Sequence, residues 1–261
     1  MSDNDNFVAE ARDIASRAQA QGVFIRILGS TAFRIHSPEF VAIHSAMNRP
    51  LTDIDFMAYG KQDREIDAFF FKEGYVPLKA ALTPELYATR RIYNHPNNGI
   101  HIDVFLDKLS MCHTISFKGR LEIDSPTIPL AELVLEKTQI ITLGDKDVKD
   151  MLILLAAHPI GDNDHETING KYIAGVLSKD WGFYYTTSLN LAKIRKGLTI
   201  HQSLFKPEDV KNIQDRLDQL TMMMDDAPKT LSWKARSKIG NKMKWYTDVE
   251  EVERAEHLQD T

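Results

Sequence analysis

The tightest constraint in this chain is a pair of short segments that alternate apolar residues with carboxylates. In Asp53-Ile54-Asp55-Phe56-Met57-Ala58 the two acids stand two apart. In an extended strand both acids leave by one face, while Ile54, Phe56 and Ala58 leave by the other and can fill a core. In Ile100-His101-Ile102-Asp103-Val104-Phe105-Leu106, Ile100, Ile102, Val104 and Leu106 take the core side, and His101 shares the polar side with Asp103. If the two segments are neighbouring strands, Asp103 lies about 5 Å across from the Asp53/Asp55 pair, the usual strand spacing. Three carboxylates that close repel one another, and crowding them costs stability unless one stays protonated or a cation joins them. Oxygen-only ligation suits Mg²⁺ or Mn²⁺. Two such ions about 4 Å apart activate an attacking hydroxyl and stabilise a leaving pyrophosphate. The pattern points to phosphoryl or nucleotidyl transfer, with Asp53, Asp55 and Asp103 as catalytic and metal-ligating residues. Asp-x-Asp alone equally describes an exposed strand face; the third carboxylate and an upstream Gly-Ser make the combination selective.

That Gly-Ser stands in Val23-Phe24-Ile25-Arg26-Ile27-Leu28-Gly29-Ser30, where a short buried strand gives way to a helix beginning in Thr31–His36. Glycine lets the backbone approach a phosphate, and a helix N-terminus offers free N–H groups and a partial positive charge. Gly29 and Ser30 are therefore candidate nucleotide-binding residues, with Arg34 one turn further on. An ordinary turn with Ser30 as N-cap is the competing reading. No Gly-Lys-Ser/Thr follows, so this is not a Walker A loop.

Around these motifs the periodicity predicts a helix over 7–20, a strand over 53–60, a helix from Lys61 to near Gly74, and a hairpin of strands 86–95 and 100–106 about the Pro96–Gly99 turn. Residues 37–50, with two prolines, read as irregular. From about 126 onward the pattern is helical: 131–143, 145–158, 171–197 and 207–224. The expected fold class is α+β, a mixed sheet core with flanking helices over residues 1–126 and a helical C-terminal domain over 127–261.

The motifs together resemble the DNA polymerase beta-like nucleotidyltransferase superfamily. The match is Leu28-Gly29-Ser30, then Asp53-Ile54-Asp55-Phe56, then Ile102-Asp103-Val104-Phe105. The wider segments LGSTAFRIH and NRPLTDIDF are similar to the corresponding part of the abortive-infection toxin nucleotidyltransferases and their antibiotic-modifying relatives. Arg49 stands where that family has an arginine four residues before the first aspartate; Leu51 stands where it often has Ser or Thr, and Thr52 comes next. The run from Pro129 to Leu154 resembles the family's fourth motif, a helix with a lysine and then a K-D-x-x-D helix, mapped onto Lys137, Lys146, Asp147 and Asp150. The resemblance covers residues 23 to about 155. It implies a nucleotidyltransferase-type sheet core, a following helical bundle, Mg²⁺ or Mn²⁺ as cofactor, and an NTP as nucleotide donor. It also implies nucleotide contacts from Arg34, Arg49, Lys137, Asp147 and Asp150. The stretch between Gly29 and Asp53 is longer than in minimal members, so 36–50 is an insertion or long loop.

The implied reaction moves a nucleoside monophosphate from NTP to a hydroxyl and releases pyrophosphate. The acceptor stays open among a small molecule, a protein side chain and an RNA end, and the role stays open between a toxin–antitoxin pair and antibiotic modification. A non-catalytic nucleotide-binding or regulatory protein on the same fold is the alternative, and a helical interaction protein with an accidental Asp-x-Asp is a third. The net charge of −5 does not suggest a nucleic-acid binder, although residues 228–246 interleave basic residues with Trp233, Trp245 and Tyr246. Aromatics docked on the bundle with a solvated basic face, followed by an acidic stretch from Asp248, read better there. The single cysteine, Cys112, fits a reducing, cytoplasmic setting. The acidic N-terminus and the lack of an 18-residue apolar run predict neither a signal peptide nor a membrane span. His158, Asp162, Asp164, His165 and Glu166 read as a polar loop rather than a metal site.

Overall fold

The computed structural model describes residues 3–78, 83 and 87–249. Helix α1 (Asp3–Ala20) buries Ala11, Ile14, Ala15 and Ala18, a stripe at helical spacing. Strand β1 (Ile25–Leu28) is buried throughout and runs into α2 (Gly29–His36). Strand β2 (Ile54–Ala58) follows, then α4 (Asp63–Lys72) after the short α3 (Val41–Ala46), and strands β3 (Val76–Pro77), β4 (Arg90–Asn94) and β5 (His101–Leu106). They form one five-stranded mixed sheet in the order β1-β2-β5-β4-β3, parallel only between β2 and β5. Strands β6 (Lys108–Ser110) and β7 (Thr114–Ser116) form a separate hairpin. The α+β class and the mixed sheet with flanking helices agree with the sequence expectation.

The edge of β1 is not bare. Ile27 N–H donates to Pro126 O (2.9 Å) and Ile128 N–H donates to Ile27 O (2.9 Å), so the segment leaving the sheet region returns to seal its first strand. Helix α5 (Leu130–Thr138) then enters the interior, with all nine of its residues buried. It touches α2, and it also touches α6 (Asp145–Ala157), α7 (Gly170–Leu177) and α8 (Trp181–His201). Helices α9 (Pro207–Asp226) and α10 (Leu231–Ile239) complete the helical region. One continuous cluster of buried apolar side chains runs from α1 and the sheet through α5 to α9. Among the described residues no helix is long and apolar enough to cross a membrane.

Four expectations are corrected. Residues 37–50 are not irregular: Pro38–Phe40 form a 3₁₀ turn and Val41–Ala46 a helix, because Phe40 and Ile43, three apart, pack against the core. The helix read over 171–197 is two, broken at Asp180, whose side chain accepts from Phe183 N–H (3.0 Å) and caps α8. The strand read over 53–60 is only Ile54–Ala58, so Asp53 immediately precedes it. The strand read over 86–95 is only Arg90–Asn94, with Ala88 and Thr89 in a turn before it; residue 86 and the acidic stretch beyond Val249 lie outside the described residues. Trp245 docks as expected, donating its indole N–H to Thr186 Oγ1 (3.1 Å).

Arg120 ties the polar loop to the core. It grips fully buried Glu132 of α5 through Nε and Nη2 (the latter 3.0 Å) and Asp164 through Nη1 and Nη2 (3.1 and 2.8 Å). Arg120→Ala removes the only charged partner of the buried Glu132 carboxylate among the described residues and leaves it the Tyr172 hydroxyl alone; it is expected to cost about 3–5 kcal/mol in urea unfolding, against a much smaller loss for Asp164→Asn. A second expectation concerns pH. Burial pushes His36 down to about 4, with His158 adding to the shift; burial and then Arg34 and Arg49 push His44 down to about 3; burial pushes His113 down to about 4. Between their unfolded value near 6.5 and these lower folded values the unfolded chain binds more protons, so stability rises with pH there. The stability from these histidines is complete above about pH 6.5 and drains as pH falls toward 4. Denaturation midpoints measured across that window should fall with acid, and fall less steeply in His36→Gln.

Candidate active site

The parallel pairing of β2 and β5 puts Asp55 directly opposite Asp103. Partners in register share a face of the sheet, so the two carboxylates predicted on separate strands come together. Leu28 stands opposite Asp55 on the other side, which brings the β1–α2 junction over the same carboxylate. There Gly29 adopts φ +68°, the left-handed region, and a Cβ built on it would stand 2.2 Å from Asp55 Oδ2. Glycine is required on both counts: the backbone conformation and the room for the carboxylate.

Asp55 keeps some solvent access, but its carboxyl is deeply set. Burial pushes its pKa well above the usual carboxylate range; Asp53, Asp103 and Glu136 push further and Lys137 opposes them. No hydrogen-bond donor reaches this carboxylate among the described residues. Asp53 stands beside it and accepts from Thr52 Oγ1–H (3.2 Å). Asp103 is buried and gripped from β4 by Arg90, with Nε to Oδ1 at 2.9 Å and Nη2 to Oδ2 at 2.7 Å. His101 lies between Asn94 Oδ1 (2.7 Å) and Asp103 Oδ2 (3.5 Å), adjoining the site as its place on the polar face implied. Burial raises the Asp103 carboxyl, but His101 and Arg90 outweigh it and hold the group below its ordinary value, ionised at neutral pH.

Beneath the carboxylates lies a lattice of buried ion pairs. Arg49 donates Nε and Nη2 to Asp150 (3.0 and 2.9 Å) and Nη1 to Pro50 O (2.8 Å). Arg34 donates Nη2 to Arg49 O. Lys137 Nζ sits 3.1 Å from Asp147, 3.5 Å from Asp150 and 3.6 Å from Glu136. Burial lowers the Lys137 pKa, but Glu136, Asp150 and Asp147 raise it more, and the ammonium stays charged. Arg34, Arg49, Lys137, Asp147 and Asp150, five of the seven residues expected to contact nucleotide, are thus drawn into one network, where Asp150 faces Arg49 and Lys137.

Two participants escaped the sequence. Glu136 accepts from Gly29 N–H (3.2 Å), occupying the donor that the Gly-Ser motif offers to a phosphate; its own carboxyl is pushed up by burial, with Lys137 and that N–H pulling it down. Arg90 lies on a strand that was visible, but only the β4–β5 register shows that it reaches Asp103. Ser30 is buried, and the helix cap is Leu28 with no side-chain cap bond, so Ser30 is not an N-cap. Among the described residues no three His, Cys, Asp or Glu side chains are grouped so that they could hold a metal ion.

No protein-family model matches the chain, and no curated protein matches its sequence.

The Gly29 contact is separable from its backbone strain. Gly99 has the same φ of +68° with nothing within 4 Å of a built Cβ. Gly99→Ala is expected to cost about 1 kcal/mol, the strain alone, whereas Gly29→Ala adds the collision with Asp55 and should cost at least twice as much in chemical denaturation.

Proposed function

We propose that this chain is a metal-dependent nucleotidyltransferase of the DNA polymerase beta-like kind, transferring a nucleoside monophosphate from an NTP to a hydroxyl with release of pyrophosphate. The observation that carries the reading is the Asp55–Asp103 pair in register under the Gly29 turn. A helix N-terminus and two facing carboxylates in one place are what a polyphosphate and its cation need. An Asp-x-Asp on a solvated strand face would not require a glycine held against it.

The residues present fit a divalent ion. Asp55 is crowded by acids, and no donor reaches it among the described residues. In the connected set, Asp53, Asp55, Asp103, Glu136, Asp147 and Asp150 outnumber Arg34, Arg49, Arg90 and Lys137 by two charges when all are ionised. Mg²⁺ is commonly held by one or two protein carboxylates plus substrate phosphates, so a three-ligand protein cage is not needed. Asp53 and Asp55 would hold Mg²⁺ or Mn²⁺, with Asp103 beside them. Such an ion activates the attacking hydroxyl and stabilises the leaving pyrophosphate. The chain's own groups do the rest. Gly29 and Ser30 bind phosphate oxygens once Glu136 releases the Gly29 N–H. Lys137 and Arg49, held in place by Asp150, supply fixed positive charge. Asp103, kept ionised by His101 and Arg90, is a weak base at most.

The second reading is a non-catalytic nucleotide-binding or regulatory protein on the same frame. The Arg90 fork on Asp103 and the Glu136 contact with Gly29 favour it, since each fills a place the reaction would use. In the catalytic reading the acceptor is a small molecule, a protein side chain or an RNA end, and a cytoplasmic toxin–antitoxin role suits the resemblance.

Purified protein incubated with Mg²⁺ or Mn²⁺, each labelled NTP, total tRNA and a metabolite pool should release pyrophosphate and transfer label. The Asp53→Ala/Asp55→Ala double variant should lose at least about 10³-fold in rate. A folded protein that binds neither NTP nor metal would sink the catalytic reading.

A further inference from the structure

A cavity of about 500 Å³ opens on the side of α1, lined by Arg12, Ser16 and Gln19 of that helix, by Arg26 of β1, and by Ser125 and Pro126. Its volume falls in the range of small-ligand sites. Arg12, Ser16 and Gln19 follow one another at helical spacing and form one wall. The opposite wall is the sealed edge of β1, where Ile27 N–H meets Pro126 O.

The chemistry of the lining is one-sided. It holds two guanidiniums, two hydroxyls and an amide, and no carboxylate, in a chain whose net charge is −5. Of the acids nearest in sequence, none lines the cavity: Asp124 acts on Arg26 and has other partners as well, and Glu10 and Asp13 pair elsewhere. Asp124 accepts from Ser125 N–H (2.6 Å) and lies 3.5 Å from His36 Nε2. Glu10 and Asp13 pair with Arg17. Arg26 is 6 % exposed and firmly held: Nε donates to Asp124 O (2.7 Å), Nη1 to Ile25 O (2.9 Å), and the guanidinium lies 4.0 Å over the Phe24 ring centroid. Burial lowers its pKa, with Asp124 and Glu122 opposing. A buried guanidinium with fixed geometry is pre-organised, so little entropy is lost when an oxyanion meets it. Exposed Arg12 supplies a second charge from across the cavity, with no ion pair among the described residues.

We propose that this cavity binds a small phosphorylated ligand, its phosphate between Arg12 and Arg26 and its remainder along Ser16, Gln19 and Ser125. Two arginines with hydroxyl donors suit a phosphate dianion. The concave wall suits a free small molecule better than a polymer backbone, which needs an open track. The cavity shares no lining residue with the Asp55–Asp103 pair, and the proposal does not depend on the nucleotidyltransferase reading.

Inorganic phosphate, glucose 6-phosphate and a single-stranded DNA octamer are titrated separately into the full chain, following arginine Nε–H resonances and the melting temperature. Saturable shifts at Arg12 and Arg26 with glucose 6-phosphate, a raised melting temperature, and affinity weakened at least about tenfold in Arg12→Ala and in Ser16→Asp support the site. Both substituted positions are exposed, so folding is preserved, and Arg195→Ala on α8 should bind as the unaltered chain does. The proposal is overturned by binding undiminished in Arg12→Ala, by no saturable response to either small phosphate, or by the octamer binding more tightly than both. Label transfer plays no part in these readouts, so the absence of nucleotidyltransferase activity leaves the result standing.

Discussion

Much of this structure answers to one electrostatic problem, the accumulation of carboxylates at the centre of the sheet. Asp55 and Asp103 face each other in register, Asp53 adjoins them, and Glu136, Asp147 and Asp150 come in from the helical side. Placing such charge in a low-dielectric interior is costly unless each group is paired, protonated or coordinated. Three answers are visible at once. Asp103 is paired with Arg90, Asp150 is shared between Arg49 and Lys137, and Asp55 has its pKa driven upward. Within this set, and among the described residues, the carboxylate that no donor reaches is the one against Gly29, so the unmet demand for positive charge is concentrated there.

That arrangement makes α5 more than a connector. All of its residues are buried, and Glu136 and Lys137 sit next to each other in sequence yet serve different neighbours. Glu136 reaches back to the Gly29 N–H, while Lys137 meets the acids of α6. The helical region is therefore part of the site's charge balance and not an appended bundle. Arg49, from the stretch between α3 and β2, completes the lattice through Asp150 and fixes that stretch against α6.

The sheet was legible because strand alternation is a local signal: Ile54 and Phe56 against Asp55, and Ile102 and Val104 against Asp103, announce both the strands and their polar face. Parallel pairing was not legible, and it is what turns two separate motifs into one site. The helix at Val41–Ala46 was hidden by prolines at both ends of its segment, although Phe40 and Ile43 already carried helical spacing. The break before α8 had a local sign in Asp180, a good N-cap ahead of Trp181, overridden by the apolar periodicity on either side. Glu136 and Arg90 had no local sign, since an acid beside a lysine on a helix and an arginine in a strand are both ordinary. Their partners are set by tertiary contacts alone, Glu136 and Gly29 lying 107 residues apart.

The sealing of β1 by the segment at 126–128 has a consequence for how the chain reaches this state. The first strand acquires its outer neighbour only from residues about a hundred positions later, and the Gly29 turn meets Glu136 later still. Loop closure over such distances must precede any reward from the contacts, which slows assembly relative to a fold built from adjacent elements. On the ribosome, the sheet emerges with its leading edge unpaired and its acids without Lys137. The carboxylate centre is thus a late product of folding, closed by the half of the protein that is made last.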